Sequence, residues 1–401
     1  MEGEARYYLD SSSASSGAMG FFCGAEVSNS SAVEDRDDES LMMGLGSRFF
    51  VGFGFTVWIF CGVMVVDDCE LMVVAGWLVA SVFQKESLST LSNTTNIHVP
   101  QDDLEEALSK TSMADKTVII TIINKAYADQ DIKADTTMLD LFLESFWLGE
   151  NTRPLLENLL IVAMDQTAYD RCLFRRLNCY MLKTDGLDFG GEKVYMSEDF
   201  IKMMWRRTLF LVEVLKRGYN FIFTDTDVMW LRNPLVRLST NETKDLQIST
   251  DKFLGDSQSE KHLINTGFYY IRSNNKTIKL LEKWYAMKDN STGQKEQDVL
   301  LNLIGGGIIR ELNLSVRFLD TLYFSGFCQD SKDLRAVATV HANCCRSISA
   351  KVNDLKAVLR DWKRFKKYNS YKRLANVTAN LGWSFHWGCY KSWKVANTAM
   401  G

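Results

Sequence analysis

One segment is the most informative about the fold: Tyr219-Asn-Phe-Ile-Phe-Thr-Asp-Thr-Asp-Val-Met-Trp-Leu-Arg232. Its apolar run at 221–224 predicts a short buried strand, and Asp225-Thr226-Asp227 follows where that strand ends. In open α/β sheets, ligands bind outside the carboxyl ends of the strands. The sequence therefore places two acidic side chains where a ligand would lie.

Two carboxylates one residue apart at such an edge suit a divalent metal that also binds phosphate. Mg²⁺ and Mn²⁺ accept a few protein oxygens and leave the other positions to phosphate oxygens and water. The Asp-x-Asp spacing alone is a weak signal, because it is common on solvated loops. The buried strand before Asp225 and Asp227 gives the signal its weight.

Strand and helix patterns alternate around this segment, which predicts an α/β fold with a mainly parallel central sheet. Residues 117–123 form a β-branched run typical of a strand buried on both faces, and 158–164 predicts a second such strand. A helix is predicted between them at 136–148, and another at 197–216 leads directly into the strand at 221–224. Further strands are predicted at 246–250, 267–271 and 316–319, with helices at 276–287 and 296–303.

The composition is that of a globular protein with a sizeable core. The chain has 401 residues, of which 46% are apolar and only three are proline. Its net charge of −4 does not favour nucleic acid as a partner. Residues 1–48 are rich in serine and carry nine acidic side chains against three arginines, so this segment is predicted to be a disordered acidic tail.

A membrane anchor is predicted after this tail, within the hydrophobic region 49–83. Residues 49–66, FFVGFGFTVWIFCGVMVV, carry no charge and would form a helix of about 27 Å, close to the thickness of the bilayer hydrocarbon. A second apolar block at 71–83 leaves a hairpin open as the alternative to a single span. Arg36 and Arg48 before the first block favour a cytosolic N-terminus, as in an uncleaved signal anchor.

Beyond the anchor, residues 84–116 are predicted to be a polar stalk and 117–395 a single domain. Both glycosylation sequons and cysteines occur here. The sequons begin at Asn93, Asn241, Asn275, Asn290, Asn313 and Asn376, and the cysteines are Cys172, Cys179, Cys328, Cys344, Cys345 and Cys389. An even number of cysteines permits disulfides in an oxidising compartment, and buried free thiols are the alternative. Both features favour a luminal domain.

Seven sequence blocks follow one another between about Thr117 and Lys366. They are Thr117-Val-Ile-Ile-Thr121, Asp165-Gln-Thr-Ala-Tyr169, Ser197-Glu-Asp-Phe-Ile-Lys-Met-Met-Trp-Arg-Arg207, the Asp-Thr-Asp segment through Pro234, Ile264-Asn-Thr-Gly-Phe-Tyr269, Lys295-Glu-Gln-Asp298 and Val340-His-Ala-Asn-Cys-Cys345. In these blocks the chain resembles the plant nucleotide-diphospho-sugar transferases of glycosyltransferase family 77. The resemblance implies a GT-A-like nucleotide-sugar-binding domain and transfer with retention of configuration.

The resemblance also implies the metal and donor sites. Asp225, Thr226 and Asp227 would bind the donor, and the two acids would hold Mn²⁺ or Mg²⁺, with Asp227 the more direct ligand. His341 is expected to be a third ligand or a contact to the diphosphate, although a lone histidine is often only a core or surface residue. His386 competes for the same role.

Three further groups are expected near the sugar and the phosphates. Gln297-Asp298 is similar to the acidic site that faces the sugar carbon, so both are expected catalytic residues, with helix capping as the alternative. Asn265-Thr266-Gly267 is expected to line the donor sugar, because glycine allows close backbone approach, and a turn into a strand is the alternative. Arg207, or its neighbour Arg206, is expected to pair with phosphate or with a nearby acid.

The reaction implied is transfer of xylose, arabinose or galactose from a UDP-sugar to a cell-wall polysaccharide or glycoprotein in the Golgi lumen. The base and ribose are expected near Asn124-Lys125. Retention leaves two routes open. Either the departing phosphate oxygen takes the acceptor proton on the same face, or a carboxylate, for which Asp298 is the candidate, acts as a nucleophile.

Two other functions use the same acids. In a phosphatase of the haloacid dehalogenase type, Asp225 would be the nucleophile and Asp227 the general acid, but the pair would then follow the first strand. A Golgi protein that binds sugar or nucleotide without turnover would use both acids for binding alone.

Overall fold

The computed structural model describes residues 45–51, 55–61, 102–129, 135–184, 186–193, 195–239, 243–372 and 381–398. The chain divides into two compact units, Met1–Thr95 and Asn96–Gly401. Most of the predicted acidic tail, at 1–44, and the first part of the predicted stalk, at 84–101, lie outside the described residues.

The described part of the first unit is an antiparallel pair of strands, β1 (Leu45–Val51) and β2 (Phe55–Cys61). The structure therefore has strands within 49–66, where the sequence predicts a helical span. The aromatic and β-branched residues of β2 account for the difference, because they favour extended backbone. Within the described ranges, no helix is both long and apolar enough to cross a bilayer. The rest of the predicted anchor, 62–83, lies outside those ranges.

Ten further strands lie in the described part of the second unit. Seven form its central sheet: β3 (Thr117–Ile123), β4 (Leu159–Ala163), β5 (Asn178–Met181), β6 (Asn220–Thr224), β8 (Leu246–Lys252), β9 (Leu263–Ile271) and β10 (Val316–Phe318). Their order is β10-β8-β9-β6-β3-β4-β5, and only β9 runs antiparallel to its neighbours. The predicted α/β fold with a mainly parallel sheet is confirmed.

A smaller sheet adjoins the end of β6. It consists of β7 (Val228–Trp230), β11 (Phe324–Gly326) and β12 (Thr339–His341), in the order β11-β12-β7. In the antiparallel pair of β12 and β7, His341 is opposite Val228. Because Asp227 directly precedes β7, this pairing brings His341 beside Asp227. Strands of three residues carry no periodic pattern, so the sequence did not predict this sheet.

Ten α-helices surround the sheets in the described part of the second unit. They are α1 (Asp103–Thr111), α2 (Lys125–Ala128), α3 (Met138–Leu148), α4 (Gln166–Phe174), α5 (Glu198–Lys216), α6 (Asn275–Ala286), α7 (Glu296–Gly305), α8 (Ile308–Glu311), α9 (Ile348–Lys372) and α10 (Trp387–Thr398). Three short 3₁₀ helices lie at Arg153–Asn158, Pro234–Val236 and Lys288–Asn290.

The two faces of the central sheet pack on different helices. Along β3, Val118 and Ile120 belong to the apolar cluster that includes residues of α5, α6 and α7. Their neighbours Ile119 and Ile123 belong to the cluster that includes α3, α4 and α9. Successive side chains of a strand point to opposite faces, so a continuous apolar run is what a strand covered on both sides requires.

All six cysteines of the second unit form disulfides, as the sequence permits. The pairs are Cys172–Cys179, Cys328–Cys344 and Cys345–Cys389. The last pair ties α10 to the loop that follows β12.

Helix α9 is fixed against α3 through Trp362. This side chain is fully buried, and its indole N–H donates to the carbonyl of Leu148 at 3.1 Å. The guanidinium carbon of Arg232 lies 4.6 Å from the centroid of its ring. One turn further on the same face, Lys366 donates to the same carbonyl at 2.9 Å. The packing of Trp362 therefore sets the position of the whole helix.

We expect Trp362→Ala to lower the free energy of unfolding by about 3–5 kcal/mol, because it leaves a large cavity between α9 and α3. Urea unfolding followed by circular dichroism measures this change. Trp147→Ala is the control, since Trp147 is 57% exposed on α3 and its loss should cost about 1 kcal/mol or less. Equal effects of the two changes would contradict the role given to Trp362.

Candidate active site

The acids of the Asp-Thr-Asp segment lie in the turn between β6 and β7. The N–H of Asp225 donates to the carbonyl of Gly267 on β9 at 2.7 Å, which fixes the start of the turn. The hydroxyl of Thr226 lies 3.3 Å from that of Thr121 on β3, so Thr226 packs against the sheet. Asp225, Thr226 and Asp227 all line a cleft of about 270 Å³. The predicted position at the carboxyl end of a buried strand is confirmed.

His341 completes a group of three potential metal ligands. Its Nε2 lies 3.2 Å from Oδ1 of Asp227 and 4.0 Å from Oδ2 of Asp225. One ligand atom from each of the three residues lies within 4.8 Å of the others. Two carboxylates and one imidazole are a donor set that fits a divalent ion such as Mn²⁺. The competing His386 instead contacts Asp330, at 3.0 Å.

Lys351 is a cation of this site that no sequence pattern revealed. It extends from the first turn of α9, and its Nζ lies 2.7 Å from Oδ2 of Asp227. A lysine on an amphipathic helix is usually solvated, so its type and spacing carry no signal. Only the packing of α9 brings it into the cleft, where its side chain is 20% exposed.

Arg207 lies buried between two acids. Its guanidinium donates to Oδ1 of Asp225 at 2.8 Å and to Oε1 of Glu296 at 2.6 Å. The sequence predicted either phosphate or a nearby acid as the partner of Arg207. In the structure Arg207 pairs with acids, and it also lines the cleft. Arg206 is directed elsewhere and donates to the carbonyl of Lys183 at 3.1 Å.

Burial and neighbouring charges together set the protonation of the cluster. Burial raises the pKa of Asp225 above its usual value, although the Arg207 guanidinium opposes this effect. Burial acts in the same direction on Asp227, but Lys351 and His341 outweigh it and hold the pKa of Asp227 well below its usual range. The same contacts raise the pKa of His341 and of Lys351 against the effect of burial. The lowered pKa of Asp227 favours its ionised form, which suits a direct metal ligand.

Glu296, at the start of α7, is a second residue that the sequence did not single out. Its Oε1 accepts hydrogen bonds from Arg207 and, at 3.0 Å, from the hydroxyl of Thr266. Its Oε2 is buried and has no hydrogen-bond partner among the described residues. Leaving a buried carboxylate oxygen unpaired is costly, so a donor group placed beside this atom would be stabilising.

The two expected catalytic residues lie in different places. Oε1 of Gln297 accepts from the N–H of Thr266 at 3.2 Å, and Gln297 lines the cleft. Asp298 is half-buried in the first turn of α7 and is not among the residues that line the cleft. Burial raises its pKa. The position of Asp298 in the first turn of α7 thus agrees with the alternative, helix capping.

Asp251 organises the polar wall of the cleft from the end of β8. Its Oδ1 accepts from the side-chain amides of Asn265, at 2.8 Å, and Asn343, at 2.7 Å. Its Oδ2 accepts from Nε2 of Gln297 at 3.3 Å. Two residues predicted from the sequence, Asn265 and Gln297, are therefore oriented by an acid that was not predicted.

Gly267 is required by the close packing of two potential metal ligands, Asp225 and His341, against its Cα. A Cβ at this position would lie 2.3 Å from Cε1 of His341, 2.7 Å from Oδ2 of Asp225 and 2.9 Å from Oδ1 of Asn265. The close approach to the backbone that the sequence predicts at Gly267 is present. The side chains of Asp225 and His341 are the groups that lie close to its Cα.

Asn124, at the end of β3, provides a second unpaired acceptor in the cleft. Its Nδ2 donates to the carbonyls of Phe189, at 2.7 Å, and Gly191, at 3.0 Å. These two contacts identify which side-chain atom is the nitrogen. Its Oδ1 is buried and without a hydrogen-bond partner among the described residues.

Comparison with known proteins shows which protein family this sequence matches. Residues 154–355 match the model of the nucleotide-diphospho-sugar transferases. An uncharacterized protein of Arabidopsis thaliana is 58% identical over 296 residues, which cover 73% of this chain and 85% of that protein. The beta-arabinofuranosyltransferase RAY1 of the same plant is 25% identical over 55% of this chain and 41% of that enzyme. Its UDP-D-xylose:L-fucose alpha-1,3-D-xylosyltransferase is 24% identical over 36% of this chain and 41% of that enzyme.

We expect Gly267→Ala to weaken Mn²⁺ binding by about 10- to 100-fold, because the added methyl group displaces His341 and Asp225. Calorimetric titration with Mn²⁺ measures the affinity. Gly305→Ala is the matched control, since a Cβ there would have no atom within 4 Å. Unchanged Mn²⁺ affinity in a folded Gly267→Ala variant would show that the triad does not hold the ion.

Proposed function

This chain belongs to the nucleotide-diphospho-sugar transferase family, and we propose that it transfers a sugar from a UDP-sugar to a glycan or glycoprotein acceptor with the help of a divalent metal. The observation that carries the proposal is the cluster of Asp225, Asp227 and His341, whose ligand atoms lie within 4.8 Å of one another in the cleft. A GT-A-like fold and membership of glycosyltransferase family 77 are part of the proposal.

Asp225, Asp227 and His341 would hold Mn²⁺, with Mg²⁺ as the alternative. Such an ion supplies positive charge against the charge that grows on a diphosphate leaving group. Lys351 would add to that charge, because its Nζ is already 2.7 Å from Asp227 and reaches the same space. Arg207 would keep Asp225 and Glu296 in position through the two hydrogen bonds described above.

The unpaired oxygen of Asn124 is compatible with uracil as the base. Uracil presents an N–H donor at N3, whereas cytosine presents a lone pair there. The N3–H of uracil would satisfy this buried acceptor, and the neighbouring 4-amino group of cytosine could also do so. This fits the expected position of the base and ribose near Asn124-Lys125.

The donor sugar would lie against Glu296 and Gln297. The unpaired Oε2 of Glu296 would accept a hydrogen bond from a sugar hydroxyl. The Gln297 side chain, held by Thr266 and Asp251, would line the other side. Asn265 would complete this wall through its contact with Asp251.

We propose retention of configuration, with the leaving phosphate oxygen taking the acceptor proton on the face where the acceptor attacks. A double displacement requires a carboxylate that is free to attack. Asp298 does not line the cleft, and both oxygens of Asp251 accept hydrogen bonds from side-chain amides. The charge of Glu296 is neutralised by Arg207 at 2.6 Å. These contacts favour the direct route.

The donor sugar would be a xylosyl, arabinosyl or galactosyl unit, and the acceptor a cell-wall polysaccharide or glycoprotein. The names of two relatives support the first two sugars, since one is an arabinofuranosyltransferase and the other a xylosyltransferase that uses UDP-D-xylose. The family membership gives no support to the phosphatase alternative. In addition, β3, β4 and β5 precede β6, whereas that alternative expects Asp225 after the first strand.

The proposed location of the second unit is the Golgi lumen. The three disulfides of that unit support an oxidising compartment.

We expect Asp227→Ala to lower kcat/KM for sugar transfer by at least about 100-fold and to abolish metal-dependent UDP binding. The full chain is incubated with Mn²⁺, a panel of UDP-sugars and oligosaccharide acceptors, and UDP affinity is measured by calorimetry. Asp289→Ala is the control, because the Asp289 side chain is 85% exposed and lies outside the cleft.

Unchanged UDP affinity in Asp227→Ala would rule out its role as a metal ligand. Binding of UDP by the natural chain without turnover of any sugar nucleotide would favour the binding-only alternative. Release of inorganic phosphate from a sugar phosphate, independent of UDP, would favour the phosphatase.

If the second unit is luminal, we expect a glycan at Asn290 in preference to Asn275. In the sequon that begins at Asn290, both Asn290 and Thr292 are exposed. In the sequon that begins at Asn275, Thr277 is fully buried and donates to the carbonyl of Arg272. A mobility shift on endoglycosidase treatment, lost in Asn290→Gln and kept in Asn275→Gln, checks this. Absence of glycan at every sequon would favour the hairpin topology.

A further inference from the structure

Four aromatic side chains on and just before α10 form an exposed surface, the aromatic patch. Their exposed fractions are 58% for Phe385, 59% for Trp387, 46% for Tyr390 and 39% for Trp393. The ring centroids of Phe385 and Trp387 are 4.5 Å apart, and those of Trp387 and Tyr390 are 6.1 Å apart. Exposed aromatic rings that lie in contact with one another mark a binding surface rather than chance exposure.

Trp393 connects the aromatic patch to the cleft. It is one of the residues that line the cleft with Asp225 and Asp227. Its indole N–H donates to the carbonyl of Cys344 at 2.7 Å, which fixes the ring at the rim. Trp387, Tyr390 and Trp393 are three residues apart, so they follow one side of α10 over about 9 Å. A ligand lying along this side would have one end in the cleft.

The aromatic patch is held rigidly in place. The disulfide Cys345–Cys389 joins α10 to the loop after β12. The carboxylate of Asp354 accepts from the backbone N–H groups of Gly388, at 3.1 Å, and Cys389, at 2.7 Å, at the start of the helix. The hydroxyl of Ser392 accepts from the N–H of Arg346 at 3.1 Å. A preformed surface binds without the entropic cost of ordering its side chains.

We propose that the aromatic patch is the acceptor subsite and that it binds a neutral oligosaccharide whose sugar rings stack on the ring faces that Arg346 and Lys394 leave open, since these cations lie 3.8 Å and 4.6 Å from the centroids of Trp393 and Tyr390. The inference rests on the proposed function for the reaction that follows binding. The face of an aromatic ring is electron-rich and attracts the weakly positive C–H groups on the face of a pyranose. The exposed large apolar side chains between 381 and 394 are all aromatic, and through Trp393 they continue into the cleft where the donor is expected, which favours a sugar chain as the ligand. A sugar chain along α10 would place a terminal hydroxyl beside Trp393, where the donor is expected.

The test is a titration of the full chain, with Mn²⁺ and UDP bound, by neutral xylo-, arabino- and galacto-oligosaccharides. We expect Trp387→Ala to raise the dissociation constant of the bound oligosaccharide about fivefold, since one ring contact contributes about 1 kcal/mol and 1.4 kcal/mol is tenfold. The acceptor KM should rise by a similar factor while kcat changes little. Tyr390→Phe should keep the affinity, because the stacking face remains, whereas Tyr390→Ala should lower it.

Trp147→Ala is the matched control, because Trp147 is 57% exposed on α3 and does not line the cleft. Affinity unchanged in both Trp387→Ala and Tyr390→Ala would overturn the proposal, as would binding of none of the oligosaccharides by the natural chain. Binding to phosphatidylglycerol vesicles that is lost in Trp387→Ala, with no oligosaccharide binding, would assign the patch to a membrane surface instead. The natural chain could bind oligosaccharide through the aromatic patch but neither bind nor cleave a UDP-sugar. That result would contradict the proposed function and would still identify the aromatic patch as an oligosaccharide-binding surface.

Discussion

Two carboxylates, Asp225 and Asp227, lie side by side and largely out of water at the end of β6. Burying such charges without partners costs several kcal/mol each, so the surrounding fold has to bring cations to them. Arg207, on α5, pairs with Asp225. His341, on β12, and Lys351, on α9, both pair with Asp227. The placement of α5, the small sheet and α9 around the end of β6 meets this one requirement.

The same requirement explains why the cluster suits a metal and a diphosphate. A cation bound between Asp225, Asp227 and His341 would take over the role that protein cations have in the structure. Lys351 would then be available to the phosphate oxygens. The unpaired acceptors of Asn124 and Glu296 lie in the same cleft, and they suit the base and the sugar of one nucleotide-sugar. The cleft thus offers a contact to each part of the proposed donor.

The sequence predicted what local patterns encode. The buried strand before Asp225, the long helix α5 and the mainly parallel sheet follow from hydrophobic periodicity, and the metal acids follow from their position after that strand. Lys351, Glu296 and Asp251 carry no such signal, because helical packing and strand order bring them into the cleft from distant parts of the chain. The strands within the predicted span at 49–66 differ for another reason, since the aromatic and β-branched residues of β2 favour extended backbone.

The central claim is that Asp225, Asp227 and His341 bind one divalent ion together with the diphosphate of the donor. Crystals of the protein with Mn²⁺ and UDP, measured for anomalous scattering, test it most directly. We expect a single strong peak within about 2.5 Å of an oxygen of each acid and of Nε2 of His341, with diphosphate oxygens completing the coordination. An empty triad at saturating Mn²⁺ and UDP, or an ion held by other residues, would contradict it.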